Sequence, residues 1–193
     1  MSYLKKVENW QEMADWFQER TTLHIHLFQK YLRLIEKLNL PEIDNDILML
    51  ELDHDNGKWN SPEYEPYVHL TWKYRQQRLG SSYLLSPEIK EQVDEATWHH
   101  ITNHKHHPEF WDSKAKPDTL STRDRDEPSG KMIDATQMPL PYVASMMADW
   151  LAMSEEKNTQ VKDWIKKNVN IRWKFTPEQV ALINKIADLL GNA

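Results

Sequence analysis

Apolar residues recur at three- and four-residue spacing over most of the chain, which is the period of amphipathic helices. The clearest apolar stripe lies within 21–38 and contains Leu27, Tyr31, Leu34, Ile35 and Leu38. The same spacing predicts further helices over 4–18, 47–53, 62–79, 87–107, 139–157, 158–169 and 180–190. The pattern therefore predicts an all-α protein, a compact helical bundle.

Start and stop signals support these boundaries. A capping residue followed by a proline and an acid begins three of the predicted helices, at 61–63, 86–88 and 176–178. Asp44 or Asn45 is predicted to cap the helix that delivers His54. Gly57 is predicted to permit a sharp exit of the chain from that helix.

Composition narrows the class of protein. The chain has 193 residues, which suits a single domain over 1–193, and its net charge of −6 argues against an extended nucleic-acid surface. Cysteine is absent, which excludes disulfides and thiolate metal sites. No apolar run approaches the roughly 20 residues that span a bilayer, so we expect a cytoplasmic protein with no membrane partner. The nine tryptophans fit a homodimer surface as well as a large core.

The stretch 54–58 carries the first candidate chemistry. His54 and Asp55 follow one another at a predicted helix end, so an imidazole nitrogen and a carboxylate oxygen can lean toward one metal ion. Lys58 places a cation beside that ion, which suits an anionic substrate. The alternative interpretation is an ordinary capped helix end without a metal. A metal site would need further ligands from the rest of the chain.

A histidine cluster is the second candidate feature. Five of the nine histidines lie within 99–107, between Trp98 and Phe110. His100 and His104 are four residues apart, which on a helix suits one metal ion. His107 lies where Pro108 is predicted to end the helix, and it can reach a second ion or the substrate.

Two single residues complete the candidate set. His24 lies on the buried side of the apolar stripe of 21–38, whereas His26 lies about 200° round the helix. We favour His24 for a site, against the alternative of a hydrogen-bonded core histidine. Asp149 lies within an apolar helix, where an unpaired carboxylate is costly, so it needs a metal ion or an ion pair. The polar stretch 112–138 is predicted to be a mobile loop.

Together, His24, His54-Asp55, the histidine cluster and Asp149 resemble the HD-domain superfamily of all-helical, metal-dependent phosphohydrolases. The resemblance covers about 20–155 and leaves 158–190 as packing helices. It is closest to an uncharacterised bacterial and phage branch, through His106-His107-Pro108-Glu109 and Asp149-Trp150. It implies a first metal bound by His24, His54, Asp55 and Asp149. It also implies a second ion or a leaving group held by residues drawn from His100, His104, His106 and His107.

The function this implies is hydrolysis of a nucleotide or another small phosphate ester with one or two divalent ions (Mn, Fe, Zn, Mg or Co). Asp55 or Asp149 would accept a proton from water, and Lys58 would neutralise phosphoryl charge. Two alternatives stay open at this stage. Some HD-fold enzymes are di-iron oxygenases with a similar set of ligands, and a non-catalytic module would bind a ligand without turnover.

Overall fold

The computed structural model describes residues 2–116 and 132–191, with the side chains from residue 10 onward. Most of the described residues are helical, which confirms the all-α class. The α-helices are α1 Ser2–Lys37, α2 Asn45–Met49, α3 Tyr64–Arg78, α4 Pro87–Asn103, α5 Leu140–Lys157, α6 Val161–Asn168 and α7 Pro177–Leu190. Short 3-10 helices cover Leu50–Asp53, Asn56–Trp59 and Pro108–Trp111. Among the described residues, no helix is both long enough and apolar enough to cross a membrane.

A two-stranded parallel sheet and one isolated bridge between Val169 and Trp173 form the β-structure of the described residues. The sheet pairs β1, Ile133–Asp134, with β2, Trp173–Lys174. The register places Ile133 opposite Trp173. With two residues per strand, this pairing connects two loops and does not form a sheet layer, so the protein stays in the all-α class.

The chain divides into two units. Unit 1 comprises Met1–Leu23 and Asp55–His100, and unit 2 comprises His24–His54 and Ile101–Ala193. The boundaries fall within α1, between His54 and Asp55, and within α4. The single domain predicted over 1–193 stays a prediction.

The core of unit 2 is built around α5. Nearly every residue in the first three turns of this helix is buried, because its sequence is apolar on all sides. Fully buried side chains of α1 and α7, such as Phe28, Leu32 and Ile183, belong to the same core. The capping box that begins α7 is present as predicted, since Thr176 and Gln179 each accept a hydrogen bond from the other's backbone N–H.

The core of unit 1 is smaller and aromatic. Met13 and Phe17 of α1 pack with Tyr67, Val68 and Trp72 of α3. Large rings bury much area per residue, so five side chains suffice for a core of this size. This core supports the stretch after His54, which contains Asp55 and Lys58.

Two predicted helix boundaries are wrong. The break predicted between 18 and 21 does not exist, because α1 runs unbroken over Ser2–Lys37. Thr21 or Thr22 is the cap that the sequence predicts for the second of these helices, but both lie inside α1, and the Thr21 side chain is buried. A threonine is compatible with a helix interior, and neither glycine nor proline occurs here to end one. Likewise, α4 ends at Asn103 rather than at 107, so His104 and His107 follow the helix.

The approach to His54 also differs from the prediction. The expected buried two-turn helix is a short α2, capped by Asp44 as predicted, followed by the 3-10 helix Leu50–Asp53. Only Leu48 of α2 is buried, and Leu50 is 74% exposed. The residue that takes the left-handed conformation after it is Asp55, with φ of 63°, and not Gly57. Aspartate tolerates this conformation better than most residues, so the chain turns two residues earlier than predicted.

Candidate metal centre

Three elements of unit 2 bring His24, His54 and Asp149 together. His24 lies in the middle of α1, where it is 3% exposed. His54 ends the 3-10 helix that follows α2, and Asp149 lies in the third turn of α5. The apolar stripes of α1 and α5 pack in one core, which directs both polar residues inward. This is the convergence that the sequence predicted for these three residues.

The three facing atoms form a small triangle. His24 Nε2 lies 3.1 Å from Asp149 Oδ1 and 3.3 Å from His54 Nε2. The third side, from His54 Nε2 to Asp149 Oδ1, measures 3.7 Å. A circle through three such points has a radius of about 2.0 Å, which matches the bond lengths of zinc to nitrogen and oxygen ligands. One ion can therefore contact all three atoms without rearrangement, and these residues form one of the groups able to hold a metal.

The electrostatics of Asp149 favour a bound cation. Burial alone would raise the pKa of this carboxyl group. Its hydrogen bonds to His24 and His54, and their charge, overcome that effect and hold the pKa well below its usual value. Asp149 is therefore a carboxylate at neutral pH, which is the form that binds metal ions.

Neighbouring side chains hold the two imidazoles in place. His24 Nδ1 lies 3.7 Å from Glu156 Oε2, so the second nitrogen of this ring faces a carboxylate. At this distance the contact acts through charge and is longer than the hydrogen bond by which carboxylates commonly orient metal-binding histidines. The His54 ring stacks on Phe28, with centroids 3.8 Å apart and planes 9° from parallel. The charge contact and the stacking favour the ring orientations that a metal site requires.

His106 extends the cluster within unit 2. It is buried, and its ring centroid lies 4.3 Å from that of His54. Its Nδ1 atom lies 3.6 Å from Glu51 Oε2, and Ser145 Oγ donates a hydrogen bond to the same oxygen over 3.4 Å. The sequence analysis placed His106 among the histidines that could hold a second ion, and the structure packs its ring on that of His54.

A cavity of about 290 Å³ shares His54 with this centre. It lies in unit 2 and contains both charged and uncharged polar groups. Its lining residues are Leu50, Glu51, Asp53, His54, Asn103, His104, Lys105, His106 and Tyr142. A polar cavity beside a potential metal ligand is a candidate position for a small ligand.

Unit 1 contains a second cluster of charged residues. Asp55 Oδ1 lies 3.2 Å from His100 Nε2, and Asp55 also forms an ion pair with Lys58. Glu63 is fully buried, and its two oxygens lie 2.9 Å from His99 Nδ1 and 2.9 Å from His100 Nδ1. Carboxylates and nitrogen-bearing side chains thus alternate along this cluster.

The predicted site residues consequently fall into two groups. His24, His54 and Asp149 meet in unit 2, and Asp55, Lys58 and His100 meet in unit 1. His104 lines the cavity of unit 2, and the rings of His106 and His107 lie 4.2 Å apart. The helical spacing argued for His100 and His104 does not apply, because α4 ends before His104. As ligands, all of these residues stay predictions.

Sequence reasoning missed several contributors. Glu156 follows Asp149 by seven residues, which places both on one face of α5, so helical periodicity could have found it. Glu51 and Lys105 carried no comparable signal, because only the folded chain brings them to one cavity. Of the predicted mobile loop 112–138, positions 117–131 lie outside the described residues, and 133–134 form β1.

The fold and the cluster define a mostly helical protein with a candidate metal centre of two histidines and one carboxylate. The chain belongs to DUF5662, a family of unknown function, whose model matches residues 13–189. No curated protein and no solved structure matches the chain.

Proposed function

We propose that this protein is a metal-dependent phosphohydrolase that acts on a small phosphate ester. The observation that carries the proposal is the triangle of His24 Nε2, His54 Nε2 and Asp149 Oδ1, whose sides of 3.1–3.7 Å fit a single ion. The resemblance of His24, His54-Asp55 and Asp149 to the HD-domain superfamily supports the same reaction.

The donor set limits the metal. Two imidazole nitrogens and one carboxylate oxygen suit zinc, manganese or iron better than calcium, which prefers oxygen ligands alone. When bound, such an ion supplies Lewis acidity, which polarises a phosphoryl oxygen and acidifies water. Three protein ligands would leave at least one position on such an ion for water or substrate, because these ions take four or more ligands.

The residues of the chain divide the remaining work. Asp149 has a pKa well below its usual value, so it is a weak base, and we assign it to holding the ion. Glu156 orients His24, and Phe28 orients His54. Asp55 remains the proposed proton acceptor, and Lys58 the proposed neutraliser of phosphoryl charge, as predicted from the sequence.

One observation favours a second candidate function. A site of two histidines and one carboxylate with open positions is also the ligand set of non-haem iron oxygenases. If the protein contained iron and consumed oxygen only with substrate, oxygenation would replace hydrolysis as the proposed reaction. Release of phosphate without oxygen uptake supports the first candidate.

The first prediction tests the metal centre directly. We expect His24→Ala and Asp149→Ala proteins to lose the bound metal and the release of phosphate, because each removes one of three ligands. The metal content is measured by elemental analysis of protein purified without chelator. Activity is then measured as release of phosphate from small phosphate esters in the presence of Mn²⁺, Fe²⁺, Zn²⁺, Mg²⁺ or Co²⁺. Asp55→Ala tests the ligand predicted from the sequence in the same way.

His26→Ala is the matched control, because His26 lies on the same helix but is exposed. It should retain metal and activity, and circular dichroism should show equal helical content in all four variants. Wild-type metal stoichiometry in both His24→Ala and Asp149→Ala would contradict the centre. Absence of turnover with every metal would reject hydrolysis.

A further inference from the structure

The cavity of unit 2 points to a particular class of substrate. We infer that it binds a small phosphorylated polyol, with Lys105 at the phosphate and with Glu51 and Asp53 at the hydroxyl groups. This inference rests on the proposed function, since it names the substrate of the same site. The sequence predicted a nucleotide or another small phosphate ester without preferring either, and this inference chooses between these two substrate classes.

The size of the cavity favours a small ligand. A volume of about 290 Å³ lies at the lower end of the range of ligand pockets, which is about 300–1,000 Å³. Taken as a sphere, it is roughly 8 Å across. A phosphate group with a short carbon chain fits such a space, and its phosphate can lie near His54.

Lys105 provides the anion-binding group. It is the only lysine or arginine among the described lining residues. Its Nζ atom donates a hydrogen bond to Tyr142 Oη over 3.3 Å and lies 5.3 Å from the centroid of that ring. An ammonium group has three donors, so the contact with Tyr142 leaves two for phosphate oxygens. Hydrogen bonds between an ammonium and a phosphate are among the strong ones.

Glu51 and Asp53 indicate what the part of the ligand away from the phosphate contains. Ionised carboxylates accept hydrogen bonds and cannot donate them, so they bind hydroxyl groups and repel a second anion. Glu51 already accepts a hydrogen bond from Ser145, which fixes its position in the cavity lining. The cavity therefore favours a ligand with one phosphate and several hydroxyl donors.

The aromatic content argues against a nucleotide. Bases bind by stacking on aromatic side chains. Apart from three imidazoles, Tyr142 is the only aromatic ring among the described lining residues. These imidazoles already pack on one another and belong to His54, His104 and His106. The Tyr142 ring is in contact with Lys105, and the ring of Trp111 lies 5.4 Å away. A base would have to displace these contacts, whereas a polyol needs no stacking surface.

The second prediction tests the cavity by binding alone, with the full chain and with chelator present. We expect wild-type protein to bind glycerol phosphate more tightly than adenosine monophosphate. Lys105→Met should weaken binding of glycerol phosphate and inorganic phosphate by about tenfold or more, because it removes a charged donor. Asp53→Ala should weaken the binding of glycerol phosphate but leave the binding of inorganic phosphate unchanged. Isothermal calorimetry measures each dissociation constant.

Lys185→Met is the matched control, because Lys185 is a partly exposed lysine of unit 2 that pairs with Glu42 and does not line the cavity. It should bind as the wild type does. Equal binding by the Lys105→Met and Lys185→Met proteins, tighter binding of adenosine monophosphate, or no binding by the wild type would each overturn the inference. Binding as expected without turnover would reject hydrolysis alone. Turnover with unchanged binding in Lys105→Met would reject this assignment alone.

Discussion

At the scale of single residues, buried charge decides most of what is distinctive in this protein. His24, Asp149 and Glu63 are polar groups inside apolar surroundings, and each faces an oppositely charged or hydrogen-bonding partner. Desolvation of a charge is costly, so such residues persist where a partner or a ligand offsets the cost. The choice of His24 over His26 followed from this reasoning, since His26 lies on the exposed face of α1.

The third prediction concerns Glu63. Replacing it with alanine should lower the free energy of unfolding by about 3 kcal/mol or more, because His99 and His100 lose a buried charged partner. Urea denaturation measures the difference in the free energy of unfolding between the variant and the wild type. The dependence of that free energy on urea concentration should be the same in both proteins. Glu42→Ala removes a partly exposed glutamate paired with Lys185, and it should cost less than about 1 kcal/mol. Equal losses in the two variants would show that Glu63 is not the support of this cluster.

At the scale of elements, the packing of α1 on α5 positions the candidate centre. His24 and Tyr31 lie two turns apart on α1, and Asp149 and Glu155 lie about as far apart on α5. Lys30 forms an ion pair with Glu155 over 2.7 Å, and Tyr31 is hydrogen-bonded to the same carboxylate. Polar contacts between α1 and α5 thus lie next to the candidate metal ligands of the same two helices.

The fourth prediction uses Tyr31 as a reporter of this contact. Burial raises the pKa of its hydroxyl to about 12, and the hydrogen bond and negative charge of Glu155 add to the effect. Folding therefore favours the neutral phenol. This stabilisation is complete below the unfolded pKa of 10.0 and is lost as the pH rises toward about 12.

Tyrosinate absorbance during an alkaline titration measures the ionisation. Burial raises the pKa of Tyr83 as well, so the wild type should show more than one tyrosine that ionises late. The Tyr31→Phe protein should lose the phase near pH 12 and lose less stability over the same pH interval. A titration curve of the Tyr31→Phe protein that keeps this last phase at its wild-type amplitude would contradict the α1–α5 contact.

The elements also show where periodicity succeeds and where it fails. Apolar residues and a proline-containing start signal found α3, α5 and α7. The pattern failed inside α1, at 18–21, and at the end of α4, where threonine and histidine are compatible with both helix and loop. Short elements such as α2 depend on their surroundings, since a five-residue helix is not stable alone.

At the scale of the whole molecule, metal binding should appear as stability. The fifth prediction is that a divalent ion at about 100 times its dissociation constant stabilises the folded protein by about 2.7 kcal/mol. For a chain of this size that corresponds to a rise in Tm of roughly 5–10 °C. Thermal unfolding with and without chelator measures the shift.

The Asp149→Ala protein is the control, because it lacks one ligand and should show no shift with added metal. A shift of equal size in wild type and Asp149→Ala would assign the stabilisation to another site. The same comparison for Asp55→Ala separates the residues of unit 1 from those of unit 2.

The sequence by itself determined the helical class and the residue types of a metal centre. Apolar periodicity is a local property, and histidine and aspartate within apolar stripes are visible without coordinates. Only the tertiary structure decided that His24, His54 and Asp149 meet within bonding range of one ion, that His106 packs on His54, and that Lys105 lines their cavity. Distances between residues far apart in the chain depend on how whole helices pack, and no local pattern encodes them.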